Sequence, residues 1–210
     1  LPALKDAISS YMETFYGYTV PRNQVVVATG AKFILYAAFA TLLNPGDEVI
    51  IPTPCWVSYV DQVKMVDAVP VTFQTTEAND FKATVEQLEA ARTEKTKLIL
   101  LNSPSNPTGM IYSRGELEAI GAWALEHDIL ILADDIYGRL VYNGHEFTAI
   151  SSLSDALRKQ TIVVNGVSKT YAMTGWRVGF AVAEPEIIAG MAKIISQTTS
   201  NLTAVSQYAA

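Results

Sequence analysis

The chain has 210 residues, half of them hydrophobic and 17% charged, with a formal net charge of −6. A disordered chain is excluded, because it would be poor in apolar residues and rich in charge. The acidic balance argues against nucleic acid as the main partner and, less strongly, against an anionic membrane surface, since both need a basic face.

The pattern alternates helix and strand from end to end. Leu4, Ile8, Tyr11, Met12 and Phe15 recur at helical spacing. Val25–Ala28 is a short β-branched run, broken by Thr29-Gly30, and Ala31–Leu43 reads as a helix. Asn44-Pro45-Gly46-Asp47 is a turn. A strand over Glu48–Pro52 follows, then a helix over Trp56–Val66, a strand over Val69–Phe73, a helix over Thr84–Arg92 and a strand over Lys97–Leu101. Ser113, with Glu116 three residues later, is a capping box opening a helix that runs to about His127. Ile129–Ala133, Thr161–Val164 and Gly179–Ala183 are further strands. Pro185 starts a helix through Ile194, and the chain stops at Ala210 inside another.

The strand runs are continuous rather than alternating, as expected where helices cover both faces. The expected fold is a three-layer α/β/α domain with a mostly parallel mixed sheet. No internal repeat, linker or low-complexity segment divides it. Ligands bind such sheets at the carboxyl ends of the strands. Cys55 is the single cysteine, which excludes an internal disulfide framework and agrees with a reducing cytoplasm. No apolar run reaches the roughly 18 residues of a transmembrane helix. Leu1–Asp6 lacks both parts of a signal peptide and an initiator Met, so the chain is expected to start inside a longer protein.

Polar residues follow the strands. Lys169, in Asn165-Gly166-Val167-Ser168-Lys169-Thr170, comes after a strand and a glycine. Taken alone it reads as a solvated surface lysine. A Schiff-base role would need its amine partly desolvated at the strand end. Asp134 and Asp135 follow an apolar strand and fit either a turn or, for Asp134, a partner to a protonated pyridine nitrogen, with Tyr137 one turn away. Asn102–Gly109 is a stiff loop with two prolines that could aim the Asn106 amide into the crevice. Gly30-Ala31-Lys32 marks a helix N-terminus whose N–H groups could hold phosphate, and Arg177 could add a bidentate contact. Trp56 fits either core packing or stacking on a flat ring. His127 and His145 have no metal-like spacing, Cys55 reads as a small buried hydrophobe, and no metal cluster or Ser/His/Asp arrangement stands out.

In company these residues are more specific. NSPSNPTG at Asn102–Gly109, ADDIY at Ala133–Tyr137, SKT at Ser168–Thr170 and AMTGWRVG at Ala172–Gly179, supported by NPGDEV at Asn44–Val49 and PCWVSY at Pro54–Tyr59, resemble the fold-type I aminotransferases that use pyridoxal 5′-phosphate (PLP). The likeness is greatest to the class I, aspartate-aminotransferase-like group, and it spans nearly the whole chain. It implies an enzyme of amino-acid metabolism that moves an amino group between an aspartate-like or aromatic amino acid and a 2-oxo acid. Lys169 would form a Schiff base with PLP and carry the substrate proton. Asp134 would keep the ring nitrogen protonated. Tyr137 and Asn106 would hydrogen-bond the ring oxygen. Trp56 would stack on the ring and, with Asn106, face the substrate. Gly30, Ala31, Lys32 and Arg177 would hold the phosphate, with Ser168 assisting.

Gly166 stands where many relatives have serine, so one phosphate hydroxyl is missing. By the same resemblance, residues 1–210 are the PLP-binding large domain alone, without the family's N-terminal segment and C-terminal small domain, of a cytoplasmic homodimer. A PLP-dependent C–S lyase and a non-catalytic, aminotransferase-like regulator module are the competing readings.

Overall fold

A computed structural model describes all of residues 1–210. Its elements are α1 (Pro2–Tyr16), β1 (Val25–Thr29), α2 (Ala31–Leu42), β2 (Glu48–Thr53), α3 (Ser58–Lys64), β3 (Val69–Gln74), α4 (Val85–Ala91), β4 (Thr96–Asn102), α5 (Arg114–Glu126), β5 (Leu130–Asp134), α6 (Asp155–Gln160), β6 (Thr161–Gly166), β7 (Val178–Val182), α7 (Pro185–Gln197) and α8 (Ala204–Ala209). Seven strands form one sheet in the order β1-β7-β6-β5-β4-β2-β3. The β2–β3, β2–β4, β4–β5 and β5–β6 pairs are parallel, and β7 runs antiparallel to both β1 and β6. The expected α/β/α fold with a mostly parallel mixed sheet is the one observed.

Side chains alternate between the two faces of a strand, and the core divides accordingly. One face carries Val26, Val49, Ile51, Leu98, Leu100, Leu132 and Val164 against α2, α3 and α7. The other carries Ile50, Ile99, Leu101, Ile131 and Ala133 against α4 to α6. On that second face Val163, Phe180 and Val182 meet Leu4, Ile8 and Met12 of α1. The central strands β4 to β6 are buried almost throughout, as their continuous apolar runs require. β3 is the exception: it lies at the sheet edge and is partly exposed along its length.

Capping explains several helix starts. Thr84 and Gln87 form a capping box at α4, as Ser113 and Glu116 do at α5. Most boundaries differ by one to three residues from those read in the sequence, and three of the differences bear on the site. α3 begins at Ser58, leaving Trp56 in the turn before it; β5 extends to include Asp134; β7 begins at Val178. α6, capped by the Ser154 hydroxyl, was not foreseen, because a six-residue helix carries too few turns to show a period. No helix is long and apolar enough to cross a membrane.

Candidate active site

A pocket of about 240 Å³ opens at the carboxyl ends of the parallel strands, lined by Ala31, Lys32, Trp56, Tyr59, Asn106, Asp134, Ile136, Tyr137, Ser168, Lys169, Thr174 and Arg177. Segments after β1, β2, β4, β5 and β6 each contribute. The antiparallel β7 contributes from its start rather than its end: its reversed direction puts Arg177, just before Val178, on the same edge of the sheet.

One end of the pocket is built to hold an anion. The N–H groups of Ala31 and Lys32 open α2 and make no hydrogen bond, leaving the positive end of the helix dipole free. Gly30 precedes them at φ 83°, and a Cβ there would collide with the Arg177 guanidinium. Gly30 therefore lies beneath Arg177 and does not line the pocket; its contribution is the close approach it permits. A Cβ on Gly179 would collide with the Ala31 backbone, so that glycine lets β7 press directly on the start of α2. At Gly166 a Cβ would sit 2.6 Å from the Val178 carbonyl oxygen, so a serine there would require the β6–β7 pair to shift. Arg177 Nη1 donates to the Thr174 carbonyl at 3.1 Å, and the Thr174 hydroxyl donates to the Ser168 carbonyl at 3.1 Å. These two bonds brace the Ser168–Arg177 loop.

The other end holds a carboxylate. Asp134 is only 2% exposed. Its Oδ2 accepts the Tyr59 hydroxyl at 2.7 Å and its Oδ1 accepts the Ile136 N–H at 3.3 Å. Burial pushes its pKa up to about 6, against the pull of these two donors. No cation pairs with it, and none of Lys32, Lys169 and Arg177 makes an ion pair.

Between the two ends lie flat groups. Lys32 Nζ stands 4.8 Å from the Trp56 ring centroid, and Lys169 Nζ stands 5.8 Å from that of Tyr137. Trp56 meets Tyr59 edge-on at 5.3 Å. Asn102 fastens the Asn106 loop: its amide donates to the Asp134 carbonyl at 2.8 Å and its Oδ1 accepts the Asn106 N–H at 2.7 Å.

The structure thus gathers every expected site residue but Gly30 around one pocket. Lys169 lines the pocket but is exposed as a whole residue. Cys55 is half-buried beside the site rather than a core residue. His127 lies 3.3 Å from Glu89, remote from the pocket. No group of His, Cys, Asp and Glu is arranged to hold a metal ion. Tyr59, Ile136 and Thr174 line the pocket without having been singled out. For Tyr59 the available signal was its place three residues after Trp56.

The fold is a three-layer α/β/α domain with a mostly parallel sheet, as in solved aminotransferases. More narrowly, the chain belongs to the aminotransferase class I and II family, whose model matches residues 1–210. It is 73% identical over 210 residues to an asparagine–oxo-acid transaminase of Streptococcus mutans, covering all of this chain and 53% of that protein. It is 48% identical to the aspartate aminotransferase of Bacillus subtilis, again covering all of this chain and 53% of that protein. Among solved structures, the aspartate aminotransferase of Rhizobium meliloti superposes with a TM-score of 0.97 at 44% identity, over 99% of this chain and 52% of that one. The chain therefore spans about half the length of the relatives it matches.

Proposed function

We propose that residues 1–210 form the cofactor-holding large domain of a PLP-dependent transaminase acting on asparagine or aspartate and a 2-oxo acid. The observation that carries this reading is the bipolar pocket: a free helix N-terminus and an unpaired arginine at one end, a buried unpaired carboxylate at the other, and a lysine between. That donor set fits PLP, which is dianionic at its phosphate, flat in the middle and basic at its ring nitrogen. The amino donor is inferred from the relatives' activities.

In this reading Ala31 and Lys32 N–H and Arg177 bind the phosphate, and Ser168 adds a hydroxyl. Trp56 covers the ring. Asn106 and Tyr137 donate to the ring oxygen. The Asp134 carboxylate holds a proton at the ring nitrogen. When bound, PLP supplies an electron sink for the carbanion left at the substrate Cα. Lys169 Nζ would take the substrate Cα proton and deliver it to the cofactor's C4′ carbon. Its exposure means that closure over the pocket, excluding water, must come from chain or subunit surfaces beyond these residues. We extend the proposal to a cytoplasmic homodimer, checked by sedimentation of the whole protein.

Absorbance with PLP tests the reading. The expected result is a yellow band that bleaches with L-asparagine or L-aspartate and returns with 2-oxoglutarate. Borohydride should fix one cofactor on Lys169, read by peptide mass. Pyruvate and ammonia released without a 2-oxo acid would favour the lyase. No band and no Lys169 adduct would overturn the cofactor assignment.

A further inference from the structure

We propose that Tyr59 is a positioning residue of this site: its hydroxyl holds Asp134 in the carboxylate form, aimed at the ring end of the pocket. The proposal rests on the PLP reading above and deepens it.

The geometry is specific. Tyr59 lies in the first turn of α3 and is only 1% exposed. Its N–H donates to the Trp56 carbonyl at 3.1 Å, so one tight turn delivers both the Trp56 ring and the Tyr59 hydroxyl to the pocket. The ring is fixed edge-on against Trp56 at an interplanar angle of 88°. That leaves the hydroxyl one partner, Asp134 Oδ2, at 2.7 Å. That distance is the usual one for a hydroxyl donating to an oxygen acceptor.

The chemistry is equally restricted. Lys32 on α2, Tyr59 on α3, Tyr137 after β5, Lys169 after β6 and Arg177 before β7 line the pocket with Asp134, and Asp135 lies next to it on the opposite face of the sheet. None of the cations is paired with Asp134, so only two hydrogen bonds hold its charge against burial, and the Tyr59 bond is the shorter. Burial, and the carboxylate beside it, push the Tyr59 hydroxyl well above 10, so it remains a donor at every working pH. A protonated Asp134 could not hold a second proton at a ring nitrogen. The tyrosine therefore sets the pH above which the ring end of the pocket is competent.

Tyr59→Phe removes one oxygen and keeps the edge-on contact. In cofactor-free protein, carboxyl-carbon NMR should show Asp134 titrating about one unit or more higher than in wild type. PLP retention should weaken by up to about tenfold below pH 6, equivalent to about 1.4 kcal/mol, and the deficit should shrink to almost nothing by pH 7.5. It should vanish in an Asp134→Asn background. Tyr59→Leu serves as the packing control. If Tyr59→Phe matches wild type in the Asp134 titration while Tyr59→Leu does not fold, Tyr59 only packs and the proposal is overturned. If Tyr59→Phe is unfolded at neutral pH, it must fold at pH 5, and Tyr59→Phe/Asp134→Asn must fold at both; failure of either overturns the proposal. The carboxyl titration needs no cofactor, so it stands even if borohydride finds no adduct on Lys169.

Discussion

Asp134 and Asp135 are neighbours in the chain, and their surroundings match closely. Each is almost wholly buried, at 2% and 4% exposure, and each accepts a tyrosine hydroxyl, from Tyr59 at 2.7 Å and Tyr16 at 3.0 Å. Burial raises the pKa of both. They differ in what lies beyond the carboxylate. Asp134 looks into a pocket whose other walls carry three unpaired cations. Asp135 faces the α1 side, where Tyr16 is also held by the Asn165 amide at 3.1 Å, in a buried hydrogen-bonded network without a cation. Burial and a tyrosine partner are thus shared by a residue that lines the candidate site and one that does not. The opening onto complementary charge is what separates them.

The largest effect that could break this comparison is at Asp134 itself. Asp134→Asn should weaken PLP retention by roughly 10²–10³-fold, the cost of losing one member of a buried ionic pair. Asp135→Asn should change it less than about threefold. Fluorescence titration of both variants decides, and the reverse order would exchange their roles.

The contribution of Asp134 to wild-type stability should also fall as pH rises from about 4 to about 6. In that window folded Asp134 keeps a proton that the unfolded chain has released, so the folded state binds more protons and stability declines with pH. The loss is on the order of 3 kcal/mol, complete above pH 6, and urea unfolding should show it shrink in Asp134→Asn.

Asp135→Asn should instead stabilise the protein at pH 8 by about 1–4 kcal/mol, since it removes a buried ionisable group while keeping an acceptor for Tyr16. The gain should disappear toward pH 4, where the unfolded chain also holds the proton. Urea midpoints at the two pH values test it.

The smallest effect sharpens the comparison on the site side. Asn102→Ala removes two hydrogen bonds, to the Asp134 carbonyl and from the Asn106 N–H. It should cost about 1–2 kcal/mol of stability and loosen PLP retention only a few-fold. Calorimetry alongside PLP titration would separate these.

Much of the site was legible in the sequence because of where parallel strands end. Apolar runs marked β4, β5 and β6, and the polar residues just past them, Asn106, Asp134 and Lys169, had one edge of the sheet to occupy. Arg177 and the Gly30-Ala31-Lys32 junction were legible for the same reason, although the close approach of the guanidinium to Gly30 was not. The loop and strand motifs also carried the family resemblance.

Other features depended on packing between distant segments. Sequence reading chose Asp134 over Asp135 for the site; the physical reason is the period of two, which turns Asp134 toward α3 and Asp135 toward α1. Tyr59 became a partner of Asp134 only when α3 was laid across the sheet, 75 positions away in the chain. The exposure of Lys169 was likewise invisible, because solvation depends on what covers a strand end and not on its neighbours in sequence. Residue types and spacing therefore determined the layered fold, the edge that carries the site and most of its members. The tertiary structure alone decided what holds the Asp134 carboxylate at the pocket, since that rests on a contact between segments that the linear order keeps apart.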